Sequence, residues 1–154
     1  MGQVTHIFLA PSRGAPMHAV SAVEAVHDEG LRGDRYVEAR NRRGADYQVT
    51  LIELENIEAF TRETGLPLAP EAPRRNIVTS GIRLNDLCGK RFIVGGSVFE
   101  GIELCEPCSL FAKRTHRESL RFFIRRGGLR ARILSGGVIR IGDSVGEALA
   151  PYRP

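Results

Sequence analysis

The chain has 154 residues, of which 42% are hydrophobic and 26% charged, as expected for one globular domain over residues 1–154. No apolar run approaches the roughly 18 residues that a membrane helix needs, and no signal peptide is recognisable, so we expect a cytoplasmic protein without membrane contact. Three cysteines, an odd number, argue against a disulfide framework and favour free thiols in a reducing compartment.

The net charge of +4 is modest, but its composition is informative. Of 22 basic residues only Lys90 and Lys113 are lysine, and the others are arginine. The planar guanidinium group binds phosphate or carboxylate with two hydrogen bonds, which lysine cannot do. A GC-rich genome also enriches arginine, so each arginine has to be judged by its neighbours.

The first half of the chain predicts short strands separated by turns that contain glycine or proline. A loop follows the second strand, and its glycines permit a close backbone approach around Asp34 and Arg35. The predicted elements are strands over residues 3–10 and 47–52, a strand over 17–27 for which a short helix is the alternative, a loop over 30–36, an exposed basic loop over 38–46, a helix over 53–64 that ends at Gly65, and a non-helical connector over 66–73.

A group of hydrogen-bond donors opens the next predicted strand, which extends to residue 81. Because side chains alternate along a strand, Arg74 and Asn76 are expected on one side and Arg75 on the other. Such a group at the mouth of a strand is suited to binding an anion. The alternative is an ordinary solvated strand end.

The second half predicts a hairpin, one amphipathic helix and further short strands. Cys88 has apolar neighbours and is expected in the core, whereas Arg130 and Arg132 are expected to share one face of a strand. The elements are a helical turn over 84–88, strands over 90–94, 97–104, 129–134, 138–141 and 144–149, and the helix over 112–126. Together they predict a mainly β fold, a closed or nearly closed barrel with two or three short helices.

The CxxC spacing of Cys105 and Cys108 leaves four interpretations open. A structural zinc site normally needs four ligands, and only His116 and Cys88 are near in sequence. A thioredoxin-type dithiol is expected in an α/β pattern, whereas these surroundings are rich in predicted strands. The other two are inert core thiols, or one functional thiolate at Cys108 that carries a persulfide or binds a soft-to-borderline metal.

Positive charge follows Cys108 closely, in the form of Lys113, Arg114 and Arg117. Positive charge favours the thiolate, which is the reactive form. The same charge, with the arginines of residues 116–126, also fits contact with nucleic acid. Only 6% of residues are aromatic, so few platforms exist for base stacking, and nucleic acid is disfavoured as a partner.

Several short motifs occur in a characteristic order between about residues 12 and 148. They are GLRGDR at 30–35, QVTLI at 48–52, RNIV at 75–78, LCGK at 87–90, CEPC at 105–108, GLRARIL at 128–134, GG at 136–137 and IGD at 141–143. In order and spacing they resemble the MOSC domain, the C-terminal domain of molybdenum cofactor sulfurase.

The resemblance implies a barrel like that of the pyruvate kinase barrel domain and a role in binding the molybdenum cofactor or in carrying its sulfur. It matches Cys108 to the family's essential cysteine, which ligates molybdenum in reductases and carries a persulfide in sulfurase-type members. It matches Arg75 and Asn76 to residues that hold the pterin phosphate, and Asp34 and Arg35 to the same pocket. Further candidates for the anion are Arg74, and in second place Arg130 and Arg132.

The sequence departs from the larger members of this family. It has no extra N-terminal barrel domain, no appended helical tail and no ferredoxin-like cysteine set. No pyridoxal phosphate domain is recognisable either, so sulfur would have to come from a donor such as a cysteine desulfurase. Reduction of a substrate would need an electron-donor protein. The alternative function is a non-catalytic binding module whose arginines contact a protein or nucleic acid.

Overall fold

The computed structural model describes residues 1–38 and 47–148, with only the backbone of Glu38 described. Their strands are β1 (Gly2–Leu9), β2 (His18–Val20), β3 (Ala22–Val26), β4 (Gly30–Leu31), β5 (Val49–Glu53), β6 (Ile77–Ser80), β7 (Arg91–Val94), β8 (Ser97–Leu104), β9 (Leu129–Ser135), β10 (Gly137–Arg140) and β11 (Ser144–Glu147). The helices are α1 (Arg35–Glu38), α2 (Leu54–Thr64), α3 (Ser109–Arg114) and α4 (Ser119–Phe122), with a 3₁₀ turn at Leu84–Leu87.

Seven strands close into a β-barrel. Their order is β11-β7-β8-β9-β5-β6-β1, and pairing of β1 with β11 completes the circle. Strands β5 and β6 are parallel, and the other neighbours in the barrel are antiparallel. Strand β2 extends the sheet beside β1, while β10, β3 and β4 form a small second sheet. The mainly β, closed barrel predicted from the sequence is therefore confirmed.

Alternation along each strand sorts side chains between the barrel interior and its outside. In β9, Leu129, Ala131 and Ile133 are buried, whereas Arg130 and Arg132 are partly exposed. Burial of each large apolar side chain contributes about 1.5–3 kcal/mol. The predicted alternation over residues 129–134 is confirmed, and it places both arginines outside the main core.

A second hydrophobic cluster attaches the helices to the barrel. Helix α2 buries Ile57 and Phe60 and ends at Gly65, whose φ of 75° lies in the left-handed region. Phe60 stacks on Phe123 with ring centroids 5.6 Å apart, and Phe111 packs edge-on against Phe123 at 5.4 Å. The segment that follows Cys108 is thus anchored to α2 by aromatic contacts.

The single helix predicted over residues 112–126 is wrong. Helix α3 ends at Arg114, and Thr115 leaves helical geometry at φ −119° and ψ −98° before α4 begins. The Thr115 hydroxyl lies 2.8 Å from the Phe111 carbonyl oxygen and 2.8 Å from the Ser119 hydroxyl, which stabilises the bend. Since the bend allows Phe111 and Phe123 to be buried together, Leu120 is left exposed.

Four smaller expectations differ from the structure or lie partly outside the described residues. Cys88 is exposed, not in the core, because it follows the 3₁₀ turn at the surface. The predicted loop over residues 30–36 contains β4 and the start of α1. Strand β6 begins only at Ile77, because Arg74 adopts a φ of 61°, which is not extended. Residues 39–46 of the predicted basic loop lie outside the described residues, and Glu38 ends α1.

No helix within the described ranges has the length and apolarity needed to cross a membrane.

A buried amide links three strands at one end of the barrel. Asn76 is fully buried; its Oδ1 accepts a hydrogen bond from the Thr50 N–H at 3.1 Å, and its Nδ2 donates to the Phe8 carbonyl at 3.1 Å. The Asn76 N–H donates to the Thr50 carbonyl at 3.1 Å. The side chain therefore joins the start of β6 to its two neighbours, β5 and β1.

Replacement of this amide is expected to destabilise the barrel. In Asn76→Ala the buried groups of Thr50 and Phe8 lose their partners, and we expect a loss of about 2–4 kcal/mol in the free energy of unfolding. Urea denaturation measures this value. The matched control is Asn85→Ala, which removes one hydrogen bond to the Arg125 carbonyl in an exposed setting, and its loss should stay below about 1 kcal/mol. Equal losses in both variants would contradict the assignment.

Candidate functional site

The candidate site lies at the barrel end where β1 and β8 finish and β6 and β9 begin. The Phe8 N–H donates to the Asn76 carbonyl at 2.7 Å, and the Cys105 N–H donates to the Gly128 carbonyl at 2.8 Å. These bonds bring the arginines that precede β6, the two-cysteine segment that follows β8 and the glycines that precede β9 to one region. Several sequence-predicted residues are therefore neighbours in space.

Asp34 is a fully buried carboxylate that orients Arg35. Its Oδ1 accepts hydrogen bonds from the Ala10 N–H and from Arg35 Nη1, each at 3.0 Å. The Arg35 side chain is only 12% exposed, and its Nη2 donates to the Arg74 carbonyl at 3.4 Å. Because a buried charge needs a partner, Asp34 and Arg35 form a fixed unit at the barrel end.

Arg74 is held by a backbone carbonyl. Its Nη1 donates to the Ala15 carbonyl at 2.6 Å. Burial lowers the pKa of the Arg74 guanidinium, and repulsion from Arg35 and Arg114 lowers it further, against the opposing attraction of Asp34. Three guanidinium groups thus share a region with one buried carboxylate, and a bound anion would reduce their mutual repulsion.

Arg75 connects the start of β6 to the segment that carries the cysteines. Its Nε donates to the Gly127 carbonyl at 2.8 Å, and its guanidinium carbon lies 5.4 Å from the centre of the Phe111 ring. Phe111 belongs to α3, which begins immediately after Cys108. Arg75 therefore lies against the helix that Cys108 opens.

Arg130 has a buried hydrogen-bond donor that no described residue satisfies. Its guanidinium carbon lies 4.3 Å above the Tyr47 ring, and its Nε is 3.6 Å from a Glu103 carboxylate oxygen. The Nη1 atom is buried and has no hydrogen-bond partner within residues 1–38 and 47–148. Burial would lower the pKa of Arg130, but electrostatic attraction to Cys105 and Tyr36, with a hydrogen bond to Tyr36, raises it.

The two cysteines of the CxxC segment differ in environment. Cys105 is buried, and its carbonyl oxygen packs so closely against Gly127 that a Cβ on that glycine would lie 2.1 Å away. Cys108 is exposed and immediately precedes α3, with its carbonyl accepting the Ala112 N–H at 3.0 Å. Only the second thiol of the segment is therefore open to a ligand from solvent.

Comparison with known proteins identifies the fold and the family. A sequence model of the MOSC domain matches residues 38–146. The chain belongs to the MOSC domain family. No curated protein matches it significantly in sequence.

Solved structures share this fold at low sequence identity. YuaD from Bacillus subtilis superposes with a TM-score of 0.79 at 17% identity, over 94% of each chain. YiiM from Geobacillus stearothermophilus gives 0.74 at 17% identity, over 96% of this chain and 75% of the other. YiiM from Escherichia coli gives 0.67 at 16% identity, over 97% and 72%. At these identities the likeness concerns the fold.

In this MOSC domain the structure does not bring all the candidate residues to the same place. Asn76 is enclosed, and its amide bonds with the strands around it. Arg132 lies two residues along β9 from Arg130, with its Nη2 3.9 Å from an Asp28 carboxylate oxygen. Arg35, Arg74, Arg75 and Arg130 remain as the arginine group around the barrel end, hereafter the arginine cluster.

Two tyrosines that the sequence analysis did not single out belong to this site. The Tyr36 ring lies 4.5 Å from the Arg35 guanidinium carbon, and Tyr47 stacks under Arg130 as described above. Tyr36 directly follows the GLRGDR motif, and this adjacency is the sequence signal that could have identified it as a site residue. Tyr47 precedes the QVTLI motif in the same way, but nothing local predicts its contact with Arg130.

The zinc interpretation of the CxxC segment gains no support from its neighbours. His116 Nε2 lies 2.6 Å from the Pro67 carbonyl, and its ring stacks on Phe60 at 5.7 Å, so it is engaged with the second hydrophobic cluster. Within the described ranges, no group of three or more His, Cys, Asp or Glu residues could hold a metal ion.

Thiol reactivity tests whether the arginine cluster acts on Cys108. Cys108 and Cys88 are both exposed, so access to the reagent does not favour either of them. With single-cysteine variants at neutral pH, we expect the anionic reagent iodoacetate to modify Cys108 at least about fivefold faster, because positive charge near a thiol concentrates an anion there. The difference should shrink at about 1 M salt, where surface charges are screened. Equal rates at low salt would contradict an electrostatic effect.

Proposed function

We propose that this MOSC domain binds the molybdenum cofactor and that Cys108 is its reactive thiol, either as a molybdenum ligand or as the carrier of a persulfide sulfur. The proposal is supported by an exposed thiol at the start of α3, the helix whose Phe111 ring lies 5.4 Å from the Arg75 guanidinium carbon. An exposed nucleophile next to several fixed cations suits a ligand that combines an anionic group with a sulfur-reactive centre.

The residues present fit such a cofactor in two respects. First, Arg74 and Arg75 are positioned by carbonyl oxygens and form no ion pair with a described carboxylate, so their positive charge is available to a phosphate. Second, Nη1 of Arg130 is a buried donor without a hydrogen-bond partner in the described residues, and a polar ligand would satisfy it. Both features favour an anionic, hydrogen-bonding ligand.

Each residue has a distinct part in this proposal. Arg74 and Arg75 contact the phosphate, together with Arg35, which Asp34 orients from its buried position. Asn76 is a positioning residue, because it fixes the start of β6 and with it the two preceding arginines. When bound, the cofactor supplies redox or sulfur chemistry at molybdenum, and Cys108 supplies the thiolate.

Sulfur transfer to Cys108 needs a donor protein. The Cys108 thiolate attacks the terminal sulfur of the donor's persulfide, a new S–S bond forms at Cys108, and the donor's cysteine leaves as a thiolate. No net oxidation occurs, because one S–S bond replaces another. A donor of the cysteine desulfurase type supplies this sulfur, whereas turnover as a reductase requires an electron-donor protein.

Anaerobic purification after co-expression with the cofactor's biosynthetic enzymes tests the role of Cys108. We expect the protein to carry molybdenum by metal analysis, or a mass increase of about 32 Da, the mass of one sulfur atom, by intact-mass measurement. Cys108→Ser should lose either signal, and Cys88→Ser should retain it because the Cys88 thiol follows the 3₁₀ turn and contacts the Ile102 carbonyl on β8. Absence of both signals in the parent protein would favour a non-catalytic binding module.

Phosphate binding tests the arginine cluster without the cofactor. Inorganic phosphate should raise the melting temperature of the parent protein, because a ligand of the folded state stabilises it. Arg75→Gln should weaken phosphate binding about tenfold or more, as expected for loss of a charge-assisted hydrogen bond. Arg140→Gln removes one exposed positive charge on β10 and is the control. Equal weakening in both variants would indicate a nonspecific charge effect and contradict the site.

A further inference from the structure

The positive charge of the chain is concentrated in one short segment beside the candidate site. Residues 105–126 contain six basic and two acidic residues, a net charge of +4, which equals the net charge of the whole chain. The remaining residues therefore balance to zero. This segment comprises Cys108, α3, the bend at Thr115 and α4.

Few internal partners neutralise this charge. Within the described residues, the Arg126 side chain pairs with Glu63 at 3.6 Å, and the Glu106 carboxylate accepts a hydrogen bond from the backbone N–H of Arg125. Lys113, Arg117 and Arg121 are exposed and form no ion pair with a described residue. Their charge is available to an external group, and the positive potential at this surface would attract an acidic one.

Aliphatic side chains are exposed among these cations. Leu110 is 48% exposed, Leu120 44% and Ile124 54%. The aromatic neighbours Phe111 and Phe123 are buried instead, because the bend at Thr115 directs them toward α2. Apolar groups rimmed by charge are characteristic of protein interaction sites, and a purely solvated basic face would not need them.

We infer that this surface, formed by Leu110, Arg117, Leu120, Arg121, Ile124 and Arg125 and hereafter called the α3–α4 face, docks a protein partner with an acidic rim and an apolar centre. The occupant follows from charge complementarity, since the face has a net positive charge and exposed aliphatic groups. A nucleic acid fits less well, because the exposed apolar side chains are aliphatic and provide no stacking platform.

The location of the α3–α4 face indicates what the bound partner does. Cys108 immediately precedes α3, so a protein bound there lies next to the thiol. The role rests on the proposed function: the partner is an acidic electron-donor protein that acts at this site. Docking itself does not require the thiol, and this difference separates the two proposals experimentally.

Binding of a small acidic electron carrier tests the face directly. With flavodoxin as the probe and a basic c-type cytochrome as the charge control, calorimetric titration at about 0.15 M salt should detect binding of the first only. Arg117→Glu with Arg121→Glu should weaken binding about tenfold or more. The control pair Arg83→Glu and Arg140→Glu makes the same charge change elsewhere and should leave the affinity within about twofold.

The apolar component needs its own variants. Leu120→Asn with Ile124→Asn should weaken binding at least about fivefold without changing its salt dependence. Val138→Asn with Ile141→Asn alters two other exposed apolar residues, 45% and 48% exposed, and should have no effect on affinity. Circular dichroism verifies that each variant is folded before titration.

The outcomes separate docking from the chemistry at Cys108. Retained binding in Cys108→Ser supports the docking face even if the protein carries neither molybdenum nor extra sulfur, in which case only the proposed function fails. The inference is overturned if flavodoxin does not bind, or if face and control variants weaken binding equally. A single-stranded oligonucleotide that displaces flavodoxin from the face would also overturn the inference, provided that the apolar variants leave the affinity for the oligonucleotide unchanged.

Discussion

The buried amide of Asn76 is the constraint on which this end of the barrel depends. Strand β6 has a parallel neighbour on one side and an antiparallel neighbour on the other, so the backbone bonds that join it differ in geometry. One side chain completes both connections, to Thr50 and to Phe8. Because Arg74 and Arg75 immediately precede Asn76, the same bonds fix the backbone position from which both arginine side chains extend.

The arginine cluster differs from an ordinary surface network in what holds it. Carbonyl oxygens of Ala15 and Gly127 position Arg74 and Arg75 without neutralising them, and the buried Asp34 serves Arg35. Surface salt bridges contribute little to the free energy of folding. The hydrogen bonds from Arg74 and Arg75 to carbonyl oxygens therefore serve mainly to orient the two guanidinium groups. An excess of oriented positive charge at a protein surface costs folding free energy, and binding of an anion would recover part of that cost.

Local pattern predicted the strands well and failed where distant contacts decide the conformation. Alternation over residues 129–134 identified the buried and exposed faces of β9, since one face of the strand lines the core. The bend at Thr115 depends on two aromatic residues being buried against α2, and helical periodicity contains no such information. Similarly, Arg74 has its positive φ in a turn where its N–H bonds to the Glu71 carbonyl, and Cys88 is exposed because it follows the 3₁₀ turn. The contact between Tyr47 and Arg130 joins distant parts of the sequence, so the local pattern could offer Arg130 as a candidate but could not identify the tyrosine.

The unequal environments of the two cysteines follow from the glycines before β9. Gly127 lies against the Cys105 carbonyl, and a Cβ on Gly128, whose φ is 110°, would lie 2.0 Å from the Leu51 carbonyl oxygen. Only glycine permits both approaches, and they keep the backbone of β9 close to Cys105, which becomes buried beside Arg130. Three residues later the chain has left the strand, and Pro107 precedes the exposed Cys108 at the start of α3. The same spacing that would suit a dithiol pair therefore places one thiol in the protein and the other at its surface, between the arginine cluster and the α3–α4 face.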